Sequence, residues 1–421
     1  MEASLNHHRT FGMAPEKGRW VFLLLGLGIY TCMGAVYAYS VFKEPLRELF
    51  GISATQGNLP FMSLIAVFSL ATCLSGRFID QYGPRTAMLA GSLLVGLGWV
   101  LARHATGLGS LLLTYSLIGG AGVGIVYGGP VAVATRWFPD HKGLAVGLAL
   151  MGFGMSALVT APIARHLIER FGVLSTFGRM GTVFLLVCTG LSAFMRFPPS
   201  GWRPRGWSPP STGVAAVRPS LSRRQMVRTA SFWALFVCYL LGTTAGLMAI
   251  GVSVPVGREL IHLDPAAAAA LVSVFAIFNG GGRPLFGWLV DRVRARRAAL
   301  LSFLLILGCS VGMRRAAPGQ VVLYAACFSG FWLCLGGWLA IAPATTAAFF
   351  GLDGYAQKYG LVFLAYGLGA ILGGAVSGMA KDVFGSYAVS FAITAGMAVA
   401  GLLVAGFLLR PPPGGSGAAA R

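Results

Sequence analysis

The chain has 421 residues, 56% of them hydrophobic and only 10% charged, whereas a soluble globular domain carries about 25% charged residues. That composition excludes an ordinary water-soluble protein, and a soluble enzyme with it. The formal net charge of +20 would suit a nucleic-acid binder only with basic residues gathered in a patch among aromatics; here they fall between apolar runs, and no nucleic-acid partner is expected.

In chain order, residues 1–19 are polar and read as a cytoplasmic segment. The first apolar run is not followed by a small-residue cleavage site, so the first helix is expected to stay in the mature protein. Crossing a hydrocarbon core of about 30 Å takes about 20 apolar residues. Candidate spans lie near 20–42, 57–78, 86–104, 109–135, 143–167 and 174–195, and again near 230–257, 266–290, 298–313, 319–349, 357–380 and 386–409. They predict an all-α polytopic membrane protein with 12 transmembrane helices in two six-helix bundles, 20–196 and 229–410. Between them, 197–228 is rich in Pro, Ser, Gly and Arg without apolar periodicity, the pattern of a solvated linker. The tail 411–421 is low-complexity and expected to be disordered.

Segments on the side of the N-terminus carry roughly 21 Lys and Arg against roughly 10 in the alternate loops, which places both termini in the cytoplasm of a cell membrane. The seven cysteines all lie inside apolar runs without a CxxC, and the six histidines lie at the N-terminus or near run ends. Neither metal nor cofactor is expected. The shortage of polar chemistry inside the spans weighs against a membrane-embedded enzyme, and the remaining classes are carrier, channel and receptor.

Two loops repeat one pattern. After the second span stands Gly76-Arg77-Phe78-Ile79-Asp80-Gln81-Tyr82-Gly83-Pro84-Arg85, and after the eighth stands Gly287-Trp288-Leu289-Val290-Asp291-Arg292-Val293-Arg294. Both resemble the GxxxD(R/K)xGx(R/K) signature of the major facilitator superfamily, whose six-helix halves are parallel repeats. The resemblance implies pseudo-symmetric bundles in the major facilitator fold. It implies gate and structural roles for Gly76, Asp80, Gly83, Arg85, Gly287, Asp291 and Arg292. Arg294 departs from the pattern, which wants Gly there. The small-residue stripe Gly147, Gly152, Gly154, Ala161 and Pro162 is similar to that family's fifth helix, although ordinary small-residue packing accounts for it equally.

Within the spans one ionisable residue stands out, Arg283, about eight residues (roughly 12 Å) from Asp291. Insertion of Arg at a helix centre costs about 2.5–3.5 kcal/mol, so it should face a cavity or partner. Every Asp and Glu reads as a loop or run-end residue, so the natural partner is a substrate carboxylate, which the guanidinium fork matches bidentately. The alternative is that Arg283 bonds backbone carbonyls freed by Gly280, Gly281, Gly282 and Pro284. Asn279, four residues earlier, shares its face. Among aromatics, Tyr37, Tyr127, Trp338, Phe363 and Tyr366 are substrate-site candidates, with packing the competing role of each.

These pieces resemble the monocarboxylate transporter and oxalate:formate antiporter branch of the superfamily. The matching stretches are Gly34–Phe42, Gly124–Tyr127, Asn279–Arg283, Pro343–Gly351 and Tyr359–Gly367. The resemblance implies that Arg283 binds substrate carboxylate. Oxalate exchangers of this branch have a second cation where this chain has Tyr366. Facing a single arginine, a dianion would leave one charge desolvated, so a monocarboxylate such as lactate or pyruvate suits the site better. Mammalian-type carriers have an Asp one turn before the arginine, where this chain has Asn279, so a co-transported proton cannot use that group. The expectation is a secondary active monocarboxylate carrier working by alternating access, probed against an organic-anion exchanger and a non-transporting carboxylate sensor. Lipid, the substrate and protons are its expected partners; an oligomer is not required.

Overall fold

The computed structural model describes residues 9–199, 202–204, 221–351 and 354–412, with the side chains of Asp80, Lys142, Leu144 and Ala356 excepted. Residues 1–8 of the expected N-terminal segment, most of the linker and nearly all of the tail lie outside the described residues, and so do the expectations for them.

Twelve long helices cross the molecule among the described residues. They are α1 (Pro15–Phe50), α2 (Ala54–Ile79), α3 (Gln81–Ala102), α4 (Leu108–Trp137), α5 (Lys142–Phe171) and α6 (Val173–Ser192), then α7 (Ala230–Glu259), α8 (265–293), α9 (295–314), α10 (Val321–Phe350), α11 (Tyr355–Phe384) and α12 (Ala388–Phe407). An even number of crossings puts both ends of the described chain on one face, called here the termini face; the other is the distal face.

Local chemistry sets several boundaries. Ser53 starts α2 with a capping box: its hydroxyl accepts from the Gln56 N–H while its own N–H donates to the Gln56 side chain. Asp264 caps α8, accepting from the Ala266 and Ala267 N–H groups, with Pro265 at the first helical position. Helical hydrogen bonding continues from Pro265 to Arg314, 50 residues. As one straight rod that would be about 75 Å, far more than a bilayer core, so it must break.

The break falls at Arg294, with φ 70° and ψ 155°, and its counterpart at Gly83, with φ 81° and ψ 165°. The two repeats of the sequence motif thus share one backbone turn. Glycine adopts that region freely, but an arginine there carries strain of about 1–3 kcal/mol, held by the helices on either side.

The helices outrun the apolar stretches that announced them. α1 continues past residue 42 through a 3-10 turn at Gly34–Ala38, so Glu44 and Glu48 are helical where a loop or run end was expected. Glu259 and Asp382 likewise sit in the last turns of α7 and α11. At the distal ends helical hydrogen bonding carries on beyond the hydrocarbon, where charged groups can meet water or one another; Arg47, for example, pairs with Glu44 at 2.9 Å.

Two antiparallel seams join the first six helices to the last six. Along α2–α11, Asn58 donates to the Gly374 carbonyl at 2.7 Å and Ser69 to the Phe363 carbonyl at 2.6 Å. Along α5–α8, Gly154 lies so close to Asn279 and Gly280 that a Cβ there would sit 2.8 Å from both. Small residues allow this approach, which in lipid replaces the hydrophobic effect as the source of helix association. Leu74, Leu186, Val383 and Phe407 point outward from the perimeter, where lipid covers them.

Candidate functional site

Between the seams lies Arg283, on α8 and only 3% exposed. Its Nη1 donates to the Leu150 carbonyl of α5 at 2.6 Å, while Nε and Nη2 have no hydrogen-bond partner. The carbonyl it engages therefore belongs to the opposite six helices, and the glycines of its own helix do not occupy it. Among the described residues it joins no ion pair. The free Nε–Nη2 edge is the side of a guanidinium that takes a carboxylate through two parallel hydrogen bonds. Leaving that charge buried and uncompensated costs several kcal/mol.

Asn279, one turn away, is fully buried, and both its amide oxygen and its amide nitrogen lack partners. It does not bond the guanidinium, although a shared face would have allowed it. Both residues face α5, Arg283 opposite Leu150 and Asn279 opposite Gly154.

An aromatic enclosure surrounds the guanidinium. The Phe153 ring of α5 lies 5.8 Å from the Arg283 charge centre and 5.1 Å from Tyr37 of α1. Phe68 of α2 touches Tyr127 of α4 at 5.0 Å and Phe363 of α11 at 5.5 Å, and Tyr127 stacks on Phe363 at 5.6 Å. The hydroxyls of Tyr37 and Tyr366 bond to each other at 2.5 Å across the two sets of helices, and Tyr30 donates to the Tyr127 carbonyl. The field of Arg283 reaches the hydroxyls of Tyr30, Tyr37, Tyr127, Tyr359 and Tyr366.

Arg283, Asn279, Tyr37, Tyr127, Phe363 and Tyr366 thus converge. Trp338 lies one layer behind, packed on Gly242 and 5.2 Å from Phe303, and meets the enclosure through Tyr239 at 6.3 Å. Another α10 tryptophan, Trp332, reaches Tyr37 at 6.4 Å, with its indole N–H unpartnered. Phe153 and Phe68 were absent from the sequence candidates. Phe153 had a usable signal, a bulky ring between two glycines of α5; Phe68 had none in an unbroken apolar run.

At the termini face Gly83 forms one of the two breaks, with Gly76 and Arg85 on either side of it, and Gly287, Asp291 and Arg292 lead up to the other at Arg294. Arg85, Asp291 and Arg292 are exposed, and the Arg292 guanidinium lies 5.6 Å from the Trp288 ring. The Asp80 side chain lies outside the described residues. The distal face holds a cross-link that the sequence did not announce. Asp382 of α11 accepts from the Ala54 N–H at 2.9 Å, the Thr55 N–H at 2.9 Å and the Ser53 hydroxyl at 3.0 Å. One carboxylate thereby caps the N-terminus of a helix in the opposite set, where the helix dipole favours it. Beside it, buried Lys43 of α1 donates to the Tyr387 hydroxyl at 3.2 Å.

Comparison with known proteins agrees with this architecture. The sequence model of the Major Facilitator Superfamily matches residues 23–350. The chain belongs to the Major Facilitator Superfamily. Superfamily members similar to it include the oxalate:formate antiporter of Oxalobacter formigenes, 28% identical with 90% of this chain and 88% of the relative covered. Monocarboxylate transporter 11 of Homo sapiens is 29% identical, with 93% and 83% covered. Monocarboxylate transporter 13 of Bos taurus is 28% identical, with 92% and 89% covered. In structure, the superfamily fold is matched by a bacterial homologue of the human lysosomal transporter Spinster in its inward-facing, unoccupied conformation. That likeness has a TM-score of 0.70 at 18% identity, covering 94% and 98% of the two chains. The chain is a multi-pass membrane transporter and not an enzyme.

Proposed function

We propose that the protein is a secondary active carrier of small monocarboxylates of the lactate or pyruvate type, with Arg283 binding the carboxylate. One observation carries the reading: a guanidinium 3% exposed, one nitrogen spent on the Leu150 carbonyl and its Nε–Nη2 edge without a partner. A single carboxylate neutralises that edge. The bonded hydroxyl pair of Tyr37 and Tyr366 occupies the far wall, and a neutral wall favours one negative charge in the substrate over two.

In this reading the bundles 20–196 and 229–410, joined by the linker 197–228, rock about the buried site. Phe363, Tyr127 and Tyr37 close on the body of the substrate, and Trp338 supports Tyr239 from behind. Opening at the distal face separates Asp382 from α2; opening at the termini face works at the twin breaks, with Gly76, Asp80, Gly83, Arg85, Gly287, Asp291 and Arg292 as gate elements. The Lys and Arg asymmetry puts the termini face in the cytoplasm of the cell membrane. Co-transport of a proton accompanies uptake, carried by the acid itself or by a group near Arg283.

Uptake of labelled lactate, pyruvate, formate and oxalate into proteoliposomes, with and without an imposed pH gradient, tests this. Saturable monocarboxylate uptake driven by an acidic exterior is expected, and oxalate uptake in its place would sink it. The oxalate:formate antiporter, 28% identical, supports a second reading as an organic-anion exchanger. Counterflow separates the two: unlabelled substrate outside accelerates labelled efflux strongly in an exchanger without any pH gradient.

A further inference from the structure

We propose that the termini face of the first six helices carries a binding site for an anionic phospholipid, its phosphate held by Arg9, Arg196 and Arg203 where α1 and α6 meet. Two segments outside the helices build it. Residues 10–13 turn back on themselves, with Thr10 and Met13 exchanging backbone hydrogen bonds of 2.9 and 3.1 Å. The turn seats Phe11 between Phe22 of α1, at 5.1 Å, and Phe194 just past the end of α6, at 6.4 Å. On the other side the Trp137 indole of α4 donates to the Arg196 carbonyl at 2.9 Å, and Trp202, beside Arg203, packs on Trp137 at 4.9 Å. The Arg196 guanidinium lies 5.8 Å from the centre of the Phe11 ring, within cation–π range.

All three arginines are exposed, and among the described residues none of them joins an ion pair. Asp140, close to Trp137, is taken by Arg19 through two bonds of 2.7 Å. Cations gathered on a folded scaffold where helices leave the hydrocarbon complement a lipid phosphate. Toward the membrane interior the neighbouring surface is apolar: Trp20 and Leu24 of α1, Leu186 of α6 and Phe194 all point outward. An acyl chain packs along that surface while the headgroup meets the arginines, which fits a lipid better than a soluble phosphate. Other basic residues of this face serve topology whatever their arrangement; here the backbone carrying the charges is fixed by aromatic contacts and the indole bond.

The test is thermal melting of the detergent-solubilised full chain titrated with phosphatidylglycerol, phosphatidylcholine or inorganic phosphate. It involves no transport, so its outcome is separate from the carboxylate reading of Arg283. Phosphatidylglycerol is expected to raise the melting temperature with a midpoint at least about fivefold lower than phosphatidylcholine, the worth of one basic residue at an anionic headgroup. Replacing Arg9, Arg196 and Arg203 together by Gln should raise that midpoint at least about fivefold. Arg223→Gln, Arg224→Gln and Arg228→Gln together, exposed positions before α7, remove as much charge from the other six helices and should leave it within twofold. Equal midpoints for the two lipids in the unaltered protein overturn the proposal and need no variant to fold. Equal shifts in the two triple variants also overturn it, since that is what diffuse attraction to a basic face predicts. Stabilisation by inorganic phosphate at the same concentrations as phosphatidylglycerol overturns the lipid assignment.

Discussion

Replacing Arg283 by Lys keeps the positive charge and removes the fork. In the proposed carrier the guanidinium serves two clients: Nη1 holds the Leu150 carbonyl at 2.6 Å, and the free Nε–Nη2 edge is left for the substrate. A lysine ammonium is a compact point charge on a flexible stem and cannot present two parallel N–H groups to a carboxylate while also holding a carbonyl on α5. One charge-assisted hydrogen bond is lost at least, about 1.5–3 kcal/mol, which corresponds to a roughly 10- to 150-fold weaker substrate interaction. Initial rates of lactate uptake over a range of concentrations in proteoliposomes would read this as a raised KM, with size-exclusion chromatography confirming a folded carrier. A KM within twofold of the parent would refute the argument, because it would mean that the free edge does not bind the carboxylate.

In Tyr366→Lys the hydroxyl bonded to Tyr37 gives way to a second cation, so oxalate uptake should appear and lactate uptake fall at least about tenfold; a transport profile unchanged for both acids contradicts the charge-matching account. Asp382→Asn removes the negative charge from the N-terminus of α2, worth about 0.3–1 kcal/mol, and should shift the population toward opening at the distal face by up to about fivefold. Spectroscopic distances between labels on the distal ends of α2 and α11 would report it, and an unaltered distribution would count against the latch. Arg294→Gly relieves a strained backbone at some cost in chain entropy, so the carrier should melt higher by the equivalent of about 1 kcal/mol; a lower melting temperature would mean that the arginine side chain holds the junction together.

The burial of Arg283 and of its neighbour Asn279 was legible in the sequence because a charge inside an apolar run has no cheap local explanation, and four residues of helix fix which neighbour shares its face. The twin motif was legible too, down to the position where the chain turns back. Its departure at Arg294 looked mild as a letter in a pattern, yet the backbone there takes the same glycine-type conformation as Gly83. The aromatic candidates fared differently. Tyr37 and Tyr366 lie 329 positions apart and meet hydroxyl to hydroxyl, while the candidate Trp338 packs one layer behind the enclosure and Trp332, six residues earlier on the same helix, reaches Tyr37.

The sequence alone determined that this chain lives in lipid, crosses it twelve times, repeats itself halfway and places a cation, Arg283, inside an apolar run. Each of those follows from properties that need no partner: length of apolar run, turn chemistry and the cost of desolvating charge. Tertiary structure decided which rings surround Arg283, that its Nη1 is tied to α5, and that Asp382 caps α2 at the distal face. In a soluble protein an apolar stripe marks the inward side of a helix. In a membrane both sides are apolar, so packing between helices, and not hydrophobic pattern, selects the residues that face the site.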